Sequence, residues 1–99
     1  MTRYLIKRNV GAAASQDYID AAVVRAITCA YSIDGLKWVT SYWDTTAGFT
    51  YCVYDAESEA DIIEHSRRAS IGCDEIIRVE SIDPAQYSGA ASAKEVAAS

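Results

Sequence analysis

His65 is the single histidine among 99 residues, and so the one side chain that ordinarily changes charge near neutral pH. Asp61 lies one helical turn before it, at the spacing that brings a carboxylate and an imidazole together on one face. Such a pair can share a metal ion or tune the imidazole; it can equally be a plain surface pair worth a few tenths of a kcal/mol. Glu57, Glu59 and Glu64 extend the acidic stretch, which reads as a solvated helix start or as a site for a hard cation. Cys52 adds a soft donor or nucleophile, against the alternative of a small buried hydrophobe. His65, Cys52, Asp61 and Glu64 are therefore the candidate metal donors. The aromatics Trp38, Tyr42, Tyr51 and Tyr54 are the candidate pocket residues, because a buried Tyr needs a hydrogen-bond partner that a ligand can supply. No phosphate loop, Ser-His-Asp order or dinucleotide fingerprint is present.

These residues must be positioned by short elements. Arg3 to Arg8 alternates as a strand, with Tyr4 and Ile6 facing one way and Leu5 and Lys7 the other. Ser15 suits an N-cap with Asp17 in the first turn, and Ile19, Val23, Ala26, Ile27 and Ala30 then recur at helical spacing. Trp38 to Trp43 and Phe49 to Tyr54 flank the polar turn Asp44 to Gly48 and predict a hairpin. Strict alternation there puts Trp38 and Tyr42 on one face of the first strand, with Val39 and Trp43 on the other.

Ser58-Glu-Ala-Asp61 resembles a capping box opening a helix to about Ser70, with Ile62, Ser66 and Ala69 inward, His65 on the shoulder of that stripe and Gly72 as the stop. Glu75 to Ile82 reads as the last strand, and Asp83-Pro84 closes the fold. The order β-α-β-β-α-β is the split-βαβ, ferredoxin-like pattern, an α+β fold with two helices on one face of a four-stranded antiparallel sheet. Both sheet faces are apolar, so the uncovered one predicts a homodimer packed sheet to sheet, of dimeric α/β-barrel type. Residues 1–87 form the domain, and 88–99, small and Ala-rich, are expected to be a flexible tail.

Half the residues are hydrophobic and the formal charge is −5, which argues against a nucleic-acid partner needing a basic patch. No apolar run approaches the roughly 20 residues of a membrane helix. Cys29, Cys52 and Cys73 form neither a disulfide framework nor a Cys-x-x-Cys pattern, and read as reduced thiols of a cytoplasmic protein.

Tyr4-Leu5, Trp38-Val39-x-Ser41-Tyr42, Cys52-x-Tyr54-x-Ala56, His65-x-Arg67-Arg68-Ala69 and Asp74-Glu75-Ile76 together resemble a family of small bacterial ferredoxin-like proteins known as nickel-binding after its best-known branch. The resemblance covers roughly residues 3–84. It implies a dimer and a site for nickel or another divalent metal, with His65 and Cys52 at the matching donor positions. The metal-binding branch carries further histidines in its first strand and first helix; here Leu5 to Asn9 and Asp20 to Val24 hold none. The alternative from another class is a cofactor-independent isomerase, cyclase or oxygenase of the same fold, with a small-molecule pocket between sheet and helices and His65 or a Tyr as acid/base.

Overall fold

A computed structural model of the chain describes residues 1–87; the expected tail, 88–99, lies outside the described residues. Its elements are β1 (Thr2–Asn9), α1 (Gln16–Ala30), β2 (Lys37–Asp44), β3 (Phe49–Ala56), α2 (Glu59–Ala69) and β4 (Glu75–Val79), followed by a 3-10 turn, Pro84–Tyr87. The sheet runs β2-β3-β1-β4 with every neighbouring pair antiparallel, so the fold is the ferredoxin-like one read from the sequence.

Local chemistry explains the boundaries. The Ser15 hydroxyl accepts the Tyr18 amide at 3.1 Å and satisfies one of the unpaired donors that open α1. At the end of α2 the left-handed position belongs to Ser70 (φ 54, ψ 46) rather than to Gly72, and the Ile71 amide reaches back to the Ser66 carbonyl at 3.0 Å. The last strand stops at Val79, short of the expected Ile82. In the hairpin turn one Asp44 carboxylate oxygen accepts both the Thr46 and Ala47 amides at 3.0 Å, fixing the bend before Gly48.

The core lies between the sheet and α2. Tyr4 and Ile6 from β1, Cys52, Tyr54 and Ala56 from β3, and Ile62 from α2 form one cluster, with Leu36, Cys73 and Ile76 packed against it. On the opposite face Leu5 stands between Val53 and Ile77, and Lys7 pairs across to Tyr51, itself beside Tyr42. The Lys7 ammonium sits 4.3 Å from the centre of the Phe49 ring, and Arg3 grips Asp55 through two bonds of 2.8 and 2.9 Å. This outer layer is apolar along its middle and charged toward both ends, with Arg3 and Asp55 at one and Lys7 and Glu75 at the other.

One face assignment made from the alternation is overturned. A bulge in β2 between Trp38 and Thr40 breaks the period of two, so Trp38, Ser41 and Trp43 pair with the inward-facing Tyr54, Cys52 and Thr50. Trp38 and Trp43 therefore share the helix side, and Tyr42 falls on the outer side, 65% exposed.

Candidate functional site

A cavity of about 270 Å³ lies between α1 and the β2–β3 side of the sheet. Its cause is visible in the packing of α1. Two bonds tie that helix to α2: the His65 ring nitrogen Nε2 to the Ala26 carbonyl at 2.8 Å, and Arg25 Nε to the Ala69 carbonyl at 3.0 Å. Toward the sheet, Ala22 and Ala26 present only methyl groups, and Ile19 is the sole buried residue of α1. The apolar stripe of α1 thus faces the sheet without closing on it. Ile19, Val23 and Ile27 line one wall, and Trp38, Trp43, Cys52 and Tyr54 line the other.

Arg8 is the residue that sequence reasoning passed over. It follows Tyr4 and Ile6 on the period-two face of β1, and it is 2% exposed. An arginine in phase with two core residues is a legible signal, since Arg8 continues the alternation of Tyr4 and Ile6. Its Nη1 donates to the Ser66 hydroxyl at 2.7 Å and to the Gly72 carbonyl. The Ser66 hydroxyl donates in turn to the Ile62 carbonyl at 3.0 Å. The guanidinium carbon stands 5.9 Å from the centre of the Tyr54 ring, a cation–π contact. Among the described residues Arg8 has no carboxylate partner, and its Nε and Nη2 donate to nothing. The Trp43 indole N–H, on the same cavity, is likewise buried and unpartnered.

Trp38 and Tyr54 border the cavity from the helix side, whereas Tyr42 and Tyr51 pair with each other on the outer face, Tyr42 reaching the cavity only at its rim on the edge strand. Burial, with the nearby Cys52 adding to it, pushes the Tyr54 phenol up to about 12 against a smaller opposing pull from Arg8. Tyr54 is thus a neutral hydroxyl at physiological pH rather than a base.

The metal-donor candidates are scattered. His65 is fully buried, not on a helix shoulder: residues 62, 65, 66 and 69 all turn inward on α2. Its Nε2–H is committed to Ala26, its Nδ1 is buried without a partner, and its ring stands 5.2 Å from that of Tyr54. Burial lowers its pKa, and Arg8 lowers it further against the Ala26 bond, so the imidazole is neutral at pH 7. Asp61 makes no bond to either ring nitrogen. Glu64 is on the surface, clamped by Arg67 and Arg68, which hold its carboxyl down to about 2. Cys52 faces the cavity from the sheet, its thiol directed to the Thr50 hydroxyl at 3.8 Å. Among the described residues no three His, Cys, Asp or Glu side chains converge to hold one ion. The donor geometry therefore does not fit a nickel centre built from these four residues, since nickel needs several nitrogen or oxygen donors at one point.

The sequence profile of the nickel responsive protein SCO4226-like family matches residues 4–79. The chain belongs to that family. A solved structure of SCO4226 from Streptomyces coelicolor A3(2) superposes with a TM-score of 0.71 at 17% identity, covering 82% of this chain and 99% of that one. At that identity the likeness establishes the shared fold and leaves the chemistry to the residues. No curated protein matches the sequence.

Proposed function

We propose that the protein binds a small, largely apolar molecule in the cavity between α1 and the sheet. The observation that carries this reading is the cavity itself: about 270 Å³ walled by aliphatic groups of α1 and the aromatics of β2 and β3, with a few polar groups at its edge. Ligand sites have that composition, a mostly apolar wall with a small number of placed donors. A neutral probe with one ring and a short chain, 3-phenylpropan-1-ol, tests it by NMR titration of the full chain. Saturable shifts are expected at Val23, Thr50, Cys52 and Tyr54 and not at Leu5 or Val53. Ala22→Trp, which fills the space, is expected to abolish them; a titration with no saturable change in the wild type removes the reading.

Nickel or another divalent ion is the second reading, and the family's description supports it. Its test is calorimetric titration of nickel into tag-free protein and into His65→Ala. Because His65 is enclosed and bonded to Ala26, equal heats are expected from both proteins. Loss of binding in the variant, with its fold intact, would restore His65 as a ligand.

The partner for the outer sheet face is a second copy of this chain. Leu5, Val53 and Ile77 form a row across three strands, Tyr42 and Tyr51 adjoin it, and contiguous apolar surface of this kind marks an interface. Light scattering at micromolar concentration is expected to report twice the chain mass, and Leu5→Glu to return it to the monomer. The three unpaired thiols agree with a reducing, cytoplasmic setting, and no helix among the described residues is long and apolar enough to cross a membrane.

A further inference from the structure

We propose that Arg8 anchors a carboxylate, so that the ligand class is a small monocarboxylic acid whose apolar body occupies the cavity. The inference rests on the cavity taking a small molecule, and it names what that molecule carries.

A guanidinium at 2% exposure has lost its water, and a buried cation is stable only when paired or fully hydrogen-bonded. Arg8 is neither. Nη1 is satisfied by Ser66 and Gly72, which hold the planar group in one orientation from behind. What remains is the Nε and Nη2 edge, two adjacent N–H directions without an acceptor. That edge is the fork that matches the two oxygens of a carboxylate in parallel bonds. The unpartnered Trp43 N–H lies on the same cavity, so the buried groups lining it that lack partners are all donors. A donor-only inventory selects an acceptor-rich ligand, and one unpaired positive charge selects a single negative one.

The walls set the rest of the molecule. Val23 and Ile27 of α1 and the aromatics Trp38 and Tyr54 offer apolar contact, which a multiply charged phosphate would waste and an aromatic or short aliphatic body would use. A space of about 270 Å³ exceeds the roughly 150 Å³ that accepts benzene and accommodates one ring with a short acidic chain.

The test is a matched pair of probes, 3-phenylpropionate and 3-phenylpropan-1-ol, titrated into the full chain at pH 7 and followed by NMR. The acid is expected to bind about tenfold or more tightly than the alcohol, the margin of a charge-assisted pair over a neutral contact. The Arg8 Nε–H resonance is expected to move with the acid alone. In Arg8→Met the preference for the acid over the alcohol is expected to vanish. Equal binding of the two probes in the wild type would overturn the carboxylate assignment and leave the cavity reading standing. Binding of neither would remove both. Should Arg8→Met fail to fold, the wild-type pair and the Nε–H signal decide the matter on their own.

Discussion

Gly48→Ala is expected to lower the free energy of unfolding by about 3 kcal/mol, read from the midpoint of a urea titration. Gly48 has φ +79, and a Cβ placed there would lie 2.3 Å from the Ala12 amide nitrogen and 2.4 Å from the Gly11 carbonyl carbon. The left-handed backbone costs a non-glycine residue about 1–2 kcal/mol, and displacing packed backbone about 1–3 kcal/mol more. The obstacle is main chain on both sides, so no side-chain rotation relieves it. The site matters beyond stability, because the Gly48 carbonyl accepts the Val10 and Gly11 amides at 2.9 and 3.1 Å. Those bonds moor the loop that leads from β1 into α1, and Val10 lines the cavity. A variant that still folds is therefore expected to bind the phenylpropanol probe more weakly than wild type. A change in stability under about 0.5 kcal/mol, the range of ordinary surface substitutions, would mean that the hairpin tip and the loop do not touch.

The element order, the Ser15 cap and the stripe of α1 are legible in the residues because each is local: a hydroxyl three positions before an amide, or apolar groups every third or fourth place. Other features escape for equally physical reasons. The β2 bulge inserts one residue into a strand that after Lys37 is aromatic, β-branched or small and polar at every position, so nothing in the pattern marks where the phase slips. Ser70 takes the left-handed position two residues before the glycine whose residue type points to it. Periodicity also reports direction and not distance. The stripe Ile19, Val23, Ala26 and Ile27 faces the sheet as its spacing says, yet two methyl-sized residues and two anchors on α2 hold it away.

The same distinction separates the two halves of the site. His65 and the carboxylates are conspicuous as residue types and dispersed in space, whereas Arg8 is inconspicuous as a type and set apart by its burial. A lone charged residue in phase with Tyr4 and Ile6 is the better guide here than a lone histidine, since burial without a partner is the costly condition and only one of them carries a fixed charge.

His65→Ala is expected to destabilise the fold by about 2–4 kcal/mol, the range for emptying a buried site of that size and losing one hydrogen bond. The residue is fully enclosed, and its bond to Ala26 is one of two that fix α1 against α2. A second variant, His65→Leu, separates packing from charge: it keeps most of the volume and removes the titration. In the wild type burial holds the folded-state pKa of His65 below its unfolded value of about 6.5. The unfolded chain then binds more protons between those two values, so stability rises with pH across that window. The stabilisation is fully present above about pH 6.5 and declines as pH falls toward the folded pKa, with a slope of at most about 1.4 kcal/mol per pH unit. Asp55 and Glu64, whose pKa values the neighbouring arginines depress, act lower, as pH falls below their ordinary carboxylate values. Urea titrations at pH 7, 6 and 5 are expected to show a loss in wild type that His65→Leu lacks, with the steeper acid limb shared by both. Parallel curves from pH 7 to 5 would place His65 in contact with water and reopen it to a proton or an ion.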